Sequence, residues 1–352
     1  MNISNFLPLA LGMIIFSFLI TSVLVIPFIN FLYSLKMVRR KEGDVKGKEI
    51  SLRDKMHDKK AGTPVGGGIL LIGVVVILFA IIFPTISRLG VFVHSSFSLN
   101  HELIIIFLTF LGFGFVGLTD DIVKIFGKGK AGQFGGLFGL STKQKFAMQW
   151  VVALAVSFLL YQWLGIHIVH IPLFDVVINL GPLYIPFAAT LIVFFSNAFN
   201  ITDGLDGLSS GLLMIYLFAY IIIAVNHLDT PLFIFISIWL GSLIAFLYFN
   251  INPARIFLGD AGALSFGAMI AVIGLMIGNL ATLFIIGGLF VVEALSSLLQ
   301  IAGWKLWKRR ILPIAPLHHA LEAIGWEETK IVMRAWLAGI MLAVLGLWLS
   351  AI

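Results

Sequence analysis

The stretch Asn197-Ala-Phe-Asn200-Ile-Thr-Asp203-Gly-Leu-Asp206-Gly-Leu208 separates two apolar runs, about 184–199 and 208–226, that carry no charge. Runs of this kind approach the roughly 20 apolar residues that a helix needs to cross the hydrocarbon core. Acids bordering such runs are costly and persist where they face a cavity, a metal or a substrate. One stretch therefore indicates a membrane protein and marks a candidate site.

The same alternation extends in both directions. Ten candidate spans fall at about 7–35, 66–92, 102–119, 146–165, 184–199, 208–226, 231–249, 263–279, 281–302 and 330–350. The chain is 60% hydrophobic and 11% charged, with mean hydropathy +1.08, whereas a soluble domain carries about 25% charged residues. The expected fold class is an all-α integral membrane protein, a single polytopic domain over 1–352. The run Phe6–Leu35 is too long for a signal-peptide core and lacks a basic leader and a small-residue cleavage site, so it reads as a retained span. Two segments are ambiguous. Ile166–Tyr184 carries His167, His170, Pro172, Asp175 and Gly181-Pro182 and alternates in places, which predicts a hairpin outside the membrane. The runs 263–279 and 281–302 are broken only by Gly278-Asn279 and could form one bent unit. With no cysteine in the chain, disulfides and thiolate metal sites are excluded.

Charge orients the spans. Of the 23 Lys and Arg residues, 22 lie in one set of alternate loops, and Arg88 alone falls near the other face. The positive-inside rule makes the crowded face cytoplasmic, so ten spans place both termini outside. The formal charge of +6 then reflects topology, and no nucleic-acid partner is expected. Asp120, Asp121, Asp203, Asp206, Asp260 and Glu322 share the basic face, where loops from distant parts of the chain can assemble a site.

Each acidic segment has a functional and a bland reading. Asp120-Asp121 closes the third span in Gly117-Leu-Thr-Asp-Asp-Ile-Val-Lys124. Adjacent carboxylates at a helix C-terminus oppose the dipole. A divalent cation or a lysine would relieve them, and carboxylate oxygens suit Mg²⁺; a solvated helix end is the alternative. Asp203 and Asp206, three apart, share a face if helical, with Asn200 three residues earlier; Thr202 or Asp203 could instead cap the next span. Phe249-Asn250-Ile-Asn252-Pro-Ala-Arg255-Ile-Phe257-Leu-Gly259-Asp260-Ala-Gly262 is a turn in which Arg255 and Phe257 offer a cation and an aromatic face, fit for a nucleotide, although Asp260 could merely cap a helix. Pro313-Ile-Ala-Pro316-Leu-His318-His319-Ala-Leu-Glu322 presents two histidines that could bind phosphate or exchange protons, or an inert exposed pair. His57-Asp-Lys-Lys60-Ala-Gly62-Thr63-Pro64-Val-Gly66-Gly67-Gly68 combines lysines and glycines but lacks the P-loop pattern; it reads equally as a basic flank with small residues for helix packing.

Taken in order, six segments resemble the polyprenyl-phosphate N-acetylhexosamine-1-phosphate transferase superfamily, and within it the phospho-N-acetylmuramoyl-pentapeptide transferase branch. They are Lys60-Ala-Gly-Thr-Pro, Asp120-Asp-Ile-Val-Lys124, Asn197 through Leu208, Phe249-Asn-Ile-Asn-Pro-Ala, Phe257-Leu-Gly-Asp260-Ala-Gly and Ala315-Pro-Leu-His-His. The resemblance implies Mg²⁺-dependent transfer of phospho-N-acetylmuramoyl-pentapeptide from UDP to undecaprenyl phosphate, giving lipid I and UMP in the bacterial cytoplasmic (inner) membrane. It implies Asp260 as a catalytic Mg²⁺ ligand and Asp120 and Asp121 as a catalytic pair acting on the lipid phosphate. It further implies Asn197, Asn200, Asp203, Gly204, Asp206, Asn250 and Phe257 on the uridine side, and Lys60, Lys124, His318 and His319 toward the pyrophosphate or sugar-peptide. A homodimer in contact with membrane lipids is also implied. The chain departs from the family at Ala320, where a third histidine is usual, at Leu321, at Val65 and in the Gly-rich stretch Lys128–Leu140. The alternatives are transfer of GlcNAc-1-phosphate to the same lipid, and a cation-coupled transporter.

Overall fold

Apolar residues dominate each expected span, and a helix is the only open-ended structure that satisfies every backbone group within the segment. The computed structural model describes residues 6–39, 60–88, 93–126, 140–171, 176–227 and 229–351. The basic stretch 40–59, most of the Gly-rich stretch and residues 172–175, with Pro172 and Asp175, lie outside them. The helices are α1 (Phe6–Ser34), α2 (Gly67–Arg88), α3 (Leu99–Phe126), α4 (Thr142–Trp163), α5 (Tyr184–Thr202), α6 (Leu208–Asn226), α7 (Thr230–Asn250), α8 (Gly259–Ile277), α9 (Leu280–Ile286), α10 (Gly288–Trp307), α11 (Leu317–Ala323) and α12 (Glu328–Ser350). Among the described residues, 10 helices are long and apolar enough to cross a membrane; all but α9 and α11 qualify. The expected hairpin is present: β1 (Ile168–Ile171) pairs antiparallel with β2 (Val176–Asn179), Ile168 opposite Asn179.

The structure corrects three boundaries and resolves the ambiguous break at Gly278-Asn279. Helix α3 runs on to Phe126 instead of ending near 119, because Asp120 pairs with Lys124 one turn later, at 3.0 Å. Helix α4 starts at Thr142, where Ser141 and Gln144 form a capping box, so Lys145 stands in its first turn. Helix α8 starts at Gly259, so Asp260 lies in its first turn with Leu258 as N-cap. The runs 263–279 and 281–302 are separate: Gly278 ends α8 at φ 78, Asn279 caps α9 by accepting from Thr282 N at 3.0 Å, and α10 begins after Gly287.

Helices α7 and α8 are apolar on all sides and almost wholly buried, as expected for the centre of a bundle. Trp239 of α7 packs edge-on to Phe110 of α3 at 5.4 Å and against Phe266 of α8 at 5.0 Å. Helix α8 packs against α3 and α5, while α1, α10 and α12 form the periphery. Backbone hydrogen bonds gather residues 37–39, 63–68 and 257–258 at one end, including Phe257 N donating to Pro64 O at 2.8 Å and Val65 N to Met37 O at 2.9 Å. Thr230 N donates to His94 O at 2.8 Å at the other end, where His170 bridges to Asn279. All the candidate acids of the sequence belong to the first end.

Candidate active site

Gly117 brings α3 and α8 into backbone contact. A Cβ at this position would lie 2.1 Å from the carbonyl oxygen of Asp260, so only glycine permits the approach. The crossing sets Asp121 against the start of α8. Its two oxygens accept from the backbone N–H groups of Asp260 and Ala261, each at 3.0 Å. A carboxylate from α3 therefore caps α8, whose own N-cap side chain supplies no acceptor. Gly259, at φ +79, makes the left-handed turn into that helix.

Asp120 is rotated about 100° from Asp121 on the helix and faces the lysines. Lys124 Nζ lies 3.0 Å from Asp120 and 2.6 Å from Asp260. Lys145 Nζ lies 2.9 Å and 2.5 Å from the same two carboxylates. The second oxygen of Asp120 accepts from Leu140 N at 2.8 Å, and Asp260 Oδ1 accepts from Asn200 Nδ2 at 3.0 Å. The buried carboxylate of Asp120, the partly buried carboxylate of Asp260 and two ammonium groups thus form a closed ring at the end of the bundle. The ammonium groups occupy the space between the carboxylates, where the field favours a cation. The donors are oxygens only, and among the described residues no three His, Asp or Glu side chains form a metal cage. Two carboxylates completed by water and substrate phosphates are the usual setting of Mg²⁺, so the residues fit that ion.

A second lobe adjoins the ring. Lys60 Nζ bridges Asp206 at 2.6 Å and Glu328 at 2.5 Å. Asp206 also accepts from Asn252 Nδ2 at 3.1 Å and Ala254 N at 3.0 Å, and its own N–H donates to Glu328 at 2.7 Å. These groups edge a cavity of about 430 Å³ whose wall includes Thr63, Gly204, Phe257, His319 and Glu322. That volume suits a small-molecule ligand. Arg39 lies over the Phe257 ring at 5.5 Å, while Arg255 lies over Phe249 instead, also at 5.5 Å. Phe257 lines the cavity, whereas Arg255 is turned onto Phe249 and is not among the lining residues.

Several expected residues have local partners. The helix ends at Thr202, so Asp203 and Asp206 lie in a turn and do not share a helical face. Asp203 does not cap α6; it accepts from the Ser209 hydroxyl, and the N-cap position belongs to Gly207. Asn197, one turn before Asn200, exchanges hydrogen bonds with Gln149 at 2.7 and 3.4 Å and faces α4 rather than the ring. Asn250 is buried, accepts from Ser210 and donates to Ile256 O, which fixes the 250–256 turn from beneath. The histidines are not exposed: His318 and His319 are buried, with Nδ1 at 3.0 Å from Glu293 and 2.6 Å from Glu322 respectively.

Residues 103–278 match the glycosyl transferase family 4 model. The chain is 36% identical to the phospho-N-acetylmuramoyl-pentapeptide-transferase of Geobacillus kaustophilus over 337 residues, 95% of each chain. It is likewise 36% identical to the protein of that name from Staphylococcus carnosus over 341 residues, 96% of this chain and 98% of the relative. The chain belongs to the phospho-N-acetylmuramoyl-pentapeptide-transferase family. The family 4 match contains the ring carboxylates, whereas Lys60, His318 and His319 lie outside it and are covered by the near-full-length similarity.

Lys145, Glu328 and Glu293 are site residues outside the candidates of the sequence, while Asn252 stands in the 249–262 turn and the family segment without a role of its own. Lys145 and Glu328 carry no local signal. Glu293 had one: it is the only acid in the apolar run 281–302.

Asp203 lies between the lobes. Burial lifts its carboxyl from 3.8 to about 6; the Ser209 hydrogen bond and the Arg39 and Lys60 charges oppose the rise, and the charge of Asp260 adds to it. The folded state therefore holds this proton more tightly than the unfolded chain. Its stabilising contribution is complete below pH about 4 and is lost as pH rises through about 6. Asp203→Asn cannot ionise. Relative to the parent, its melting temperature in detergent is expected to gain on the order of a few degrees between pH 4 and pH 7. A difference that stays constant across that range would disprove the assignment.

Proposed function

We propose that this chain transfers phospho-N-acetylmuramoyl-pentapeptide from its UDP carrier to undecaprenyl phosphate, giving lipid I and UMP. The supporting observation is the lysine-bridged carboxylate ring beside the Lys60–Phe257 cavity, both at the basic end of the bundle. That end is assigned to the cytoplasmic side of the bacterial inner membrane, with both termini outside, because the basic residues crowd there. The acids of the ring and of the cavity sit at one end rather than at mid-membrane along broken helices, which is unlike an ion-coupled transporter.

In this reading the uridine occupies the cavity against Phe257 and Gly204, with Lys60 and His319 toward the pyrophosphate and sugar. An oxygen of the lipid phosphate bonds to the sugar-side phosphorus. The bond from that phosphorus to the bridging oxygen breaks, and UMP leaves with that oxygen. Asp120 faces the lysines and is placed to hold the proton of the lipid phosphate. Asp121 positions Asp260 through the start of α8. Lys124 and Lys145 neutralise charge at the transferring group, the main demand in phosphoryl transfer. Asp260, with Asp120 adjacent, would hold a Mg²⁺ ion, which would supply further neutralisation of the pyrophosphate.

Purified protein with undecaprenyl phosphate and Mg²⁺ is expected to release UMP from UDP-N-acetylmuramoyl-pentapeptide and not from UDP-GlcNAc. Release from UDP-GlcNAc alone would transfer the chain to the GlcNAc-1-phosphate branch. Omission of Mg²⁺ is expected to abolish release.

A further inference from the structure

Helix α10 is peripheral, with Val292, Leu295, Leu298, Leu299 and Ile301 exposed as on a lipid-facing surface. Its opposite side carries Glu293, Ser296 and Gln300, spaced i, i+3, i+7 and hence on one face. Each grips the segment that follows the helix. Gln300 accepts from Ile311 N at 3.0 Å and Leu312 N at 2.9 Å and donates to Leu312 O at 3.1 Å. Ser296 Oγ accepts from Leu317 N at 2.9 Å. Glu293 Oε2 accepts from His318 N at 3.3 Å and lies 3.0 Å from His318 Nδ1. Three polar groups one to two turns apart thus hold the loop antiparallel to the helix and end at the histidine.

The contact with Glu293 has a chemical consequence. A carboxylate at Nδ1 fixes the ring orientation and keeps a proton on that nitrogen. Nε2 is then the nitrogen left to act. It is buried and has no hydrogen-bond partner, and a Cβ at Gly204 would lie 2.3 Å from it. Gly204 lines the cavity, so Nε2 stands directly behind the cavity wall with its lone pair unpaired. Such a group is costly unless a ligand satisfies it. The other ionisable groups at this ring are His319, with ring centroids 4.2 Å apart, and Glu322, already engaged by His319.

We propose that Glu293 is a positioning residue: through His318 it aims Nε2 past Gly204 at the sugar-nucleotide substrate, and Ser296 and Gln300 hold the loop that makes this possible. The proposal rests on the transferase reading above.

The test compares Glu293→Ala, Glu293→Gln, His318→Ala and the double variant Glu293→Ala/His318→Ala. Glu293→Ala is expected to lower kcat/KM for the UDP-sugar by about 10–100-fold, the range seen when a carboxylate that orients a metal-bound histidine is lost. The KM for undecaprenyl phosphate should stay within about 3-fold. The double variant should be no worse than His318→Ala, and Glu293→Gln, whose carbonyl oxygen can accept the same two N–H groups, should recover most of the loss. Multiplicative defects in the double variant, no recovery by glutamine, or equal rises in both KM values would overturn the proposal in favour of a general packing role. Calorimetric affinity for the UDP-sugar makes the same comparison without turnover, and keeps it decisive where Glu293→Ala folds poorly, since the glutamine variant is isosteric. Absence of UMP release by the parent protein would instead count against the transferase reading.

Discussion

Release of UMP by Asp260→Asn is expected to fall by at least about 100-fold while the protein remains folded. The carboxylate is the point where the two lysines, Asn200 and the α8 terminus converge, at 2.6, 2.5 and 3.0 Å for the three side chains. Removing its charge leaves one anion, Asp120, to balance two ammonium groups, and the preferred oxygen donor for Mg²⁺ is lost. The fold should survive, because both lysines keep Asp120 as a partner at 3.0 and 2.9 Å. No buried charge is then stranded, which is the circumstance in which breaking an ion pair becomes severely destabilising. The decisive measurement is UMP release against Mg²⁺ concentration, alongside the melting temperature. Release within 10-fold of the parent at saturating Mg²⁺ would remove Asp260 from the reaction centre.

Gly117→Ala is expected to be the most damaging of the conservative substitutions at this end. The added methyl would meet Asp260 O at 2.1 Å, Asp260 C at 2.4 Å and Ala261 Cα at 2.6 Å. All three are backbone atoms and none can rotate away, so α3 and α8 must separate. Overpacking of this kind costs about 1–3 kcal/mol, enough to lower the melting temperature by several degrees. The effect on activity should be larger. Separation draws Asp121 from the Asp260 and Ala261 amides and opens the lysine-bridged ring, and displacement of catalytic groups by about 1 Å can cost about 100-fold. Gly73, where a Cβ would meet nothing within 4 Å, provides the control: Gly73→Ala should be nearly neutral in both measurements. Parent-like turnover by Gly117→Ala would show that the close crossing does not set the site.

These two residues also separate what was legible in the chain from what was not. Asp260 could be singled out because an acid beside an apolar run is costly wherever it stands. Gly117 could not, because the 35 glycines of the chain look alike until a second backbone is placed against one of them. The ten spans were equally accessible, since charge is excluded from hydrocarbon at a cost that each segment meets by itself. Their ends were less so. Helix α3 outruns its apolar stretch because Asp120, Lys124 and Lys145 neutralise one another, and that balance involves a residue from another helix.

Asn197 and Asn200 show the limit most directly. They are chemically identical and one helical turn apart, yet Asn197 holds Gln149 of α4 and Asn200 holds Asp260 of α8. Residue type and spacing alone determined that this is a membrane protein with ten candidate spans and with acids bordering them at 120–121, 203–206 and 260, because transfer energies act on each segment independently. Which acid caps a helix, which binds lysine and which histidine nitrogen faces the cavity was decided only by the tertiary structure, because those roles depend on how each helix is rotated against its neighbours.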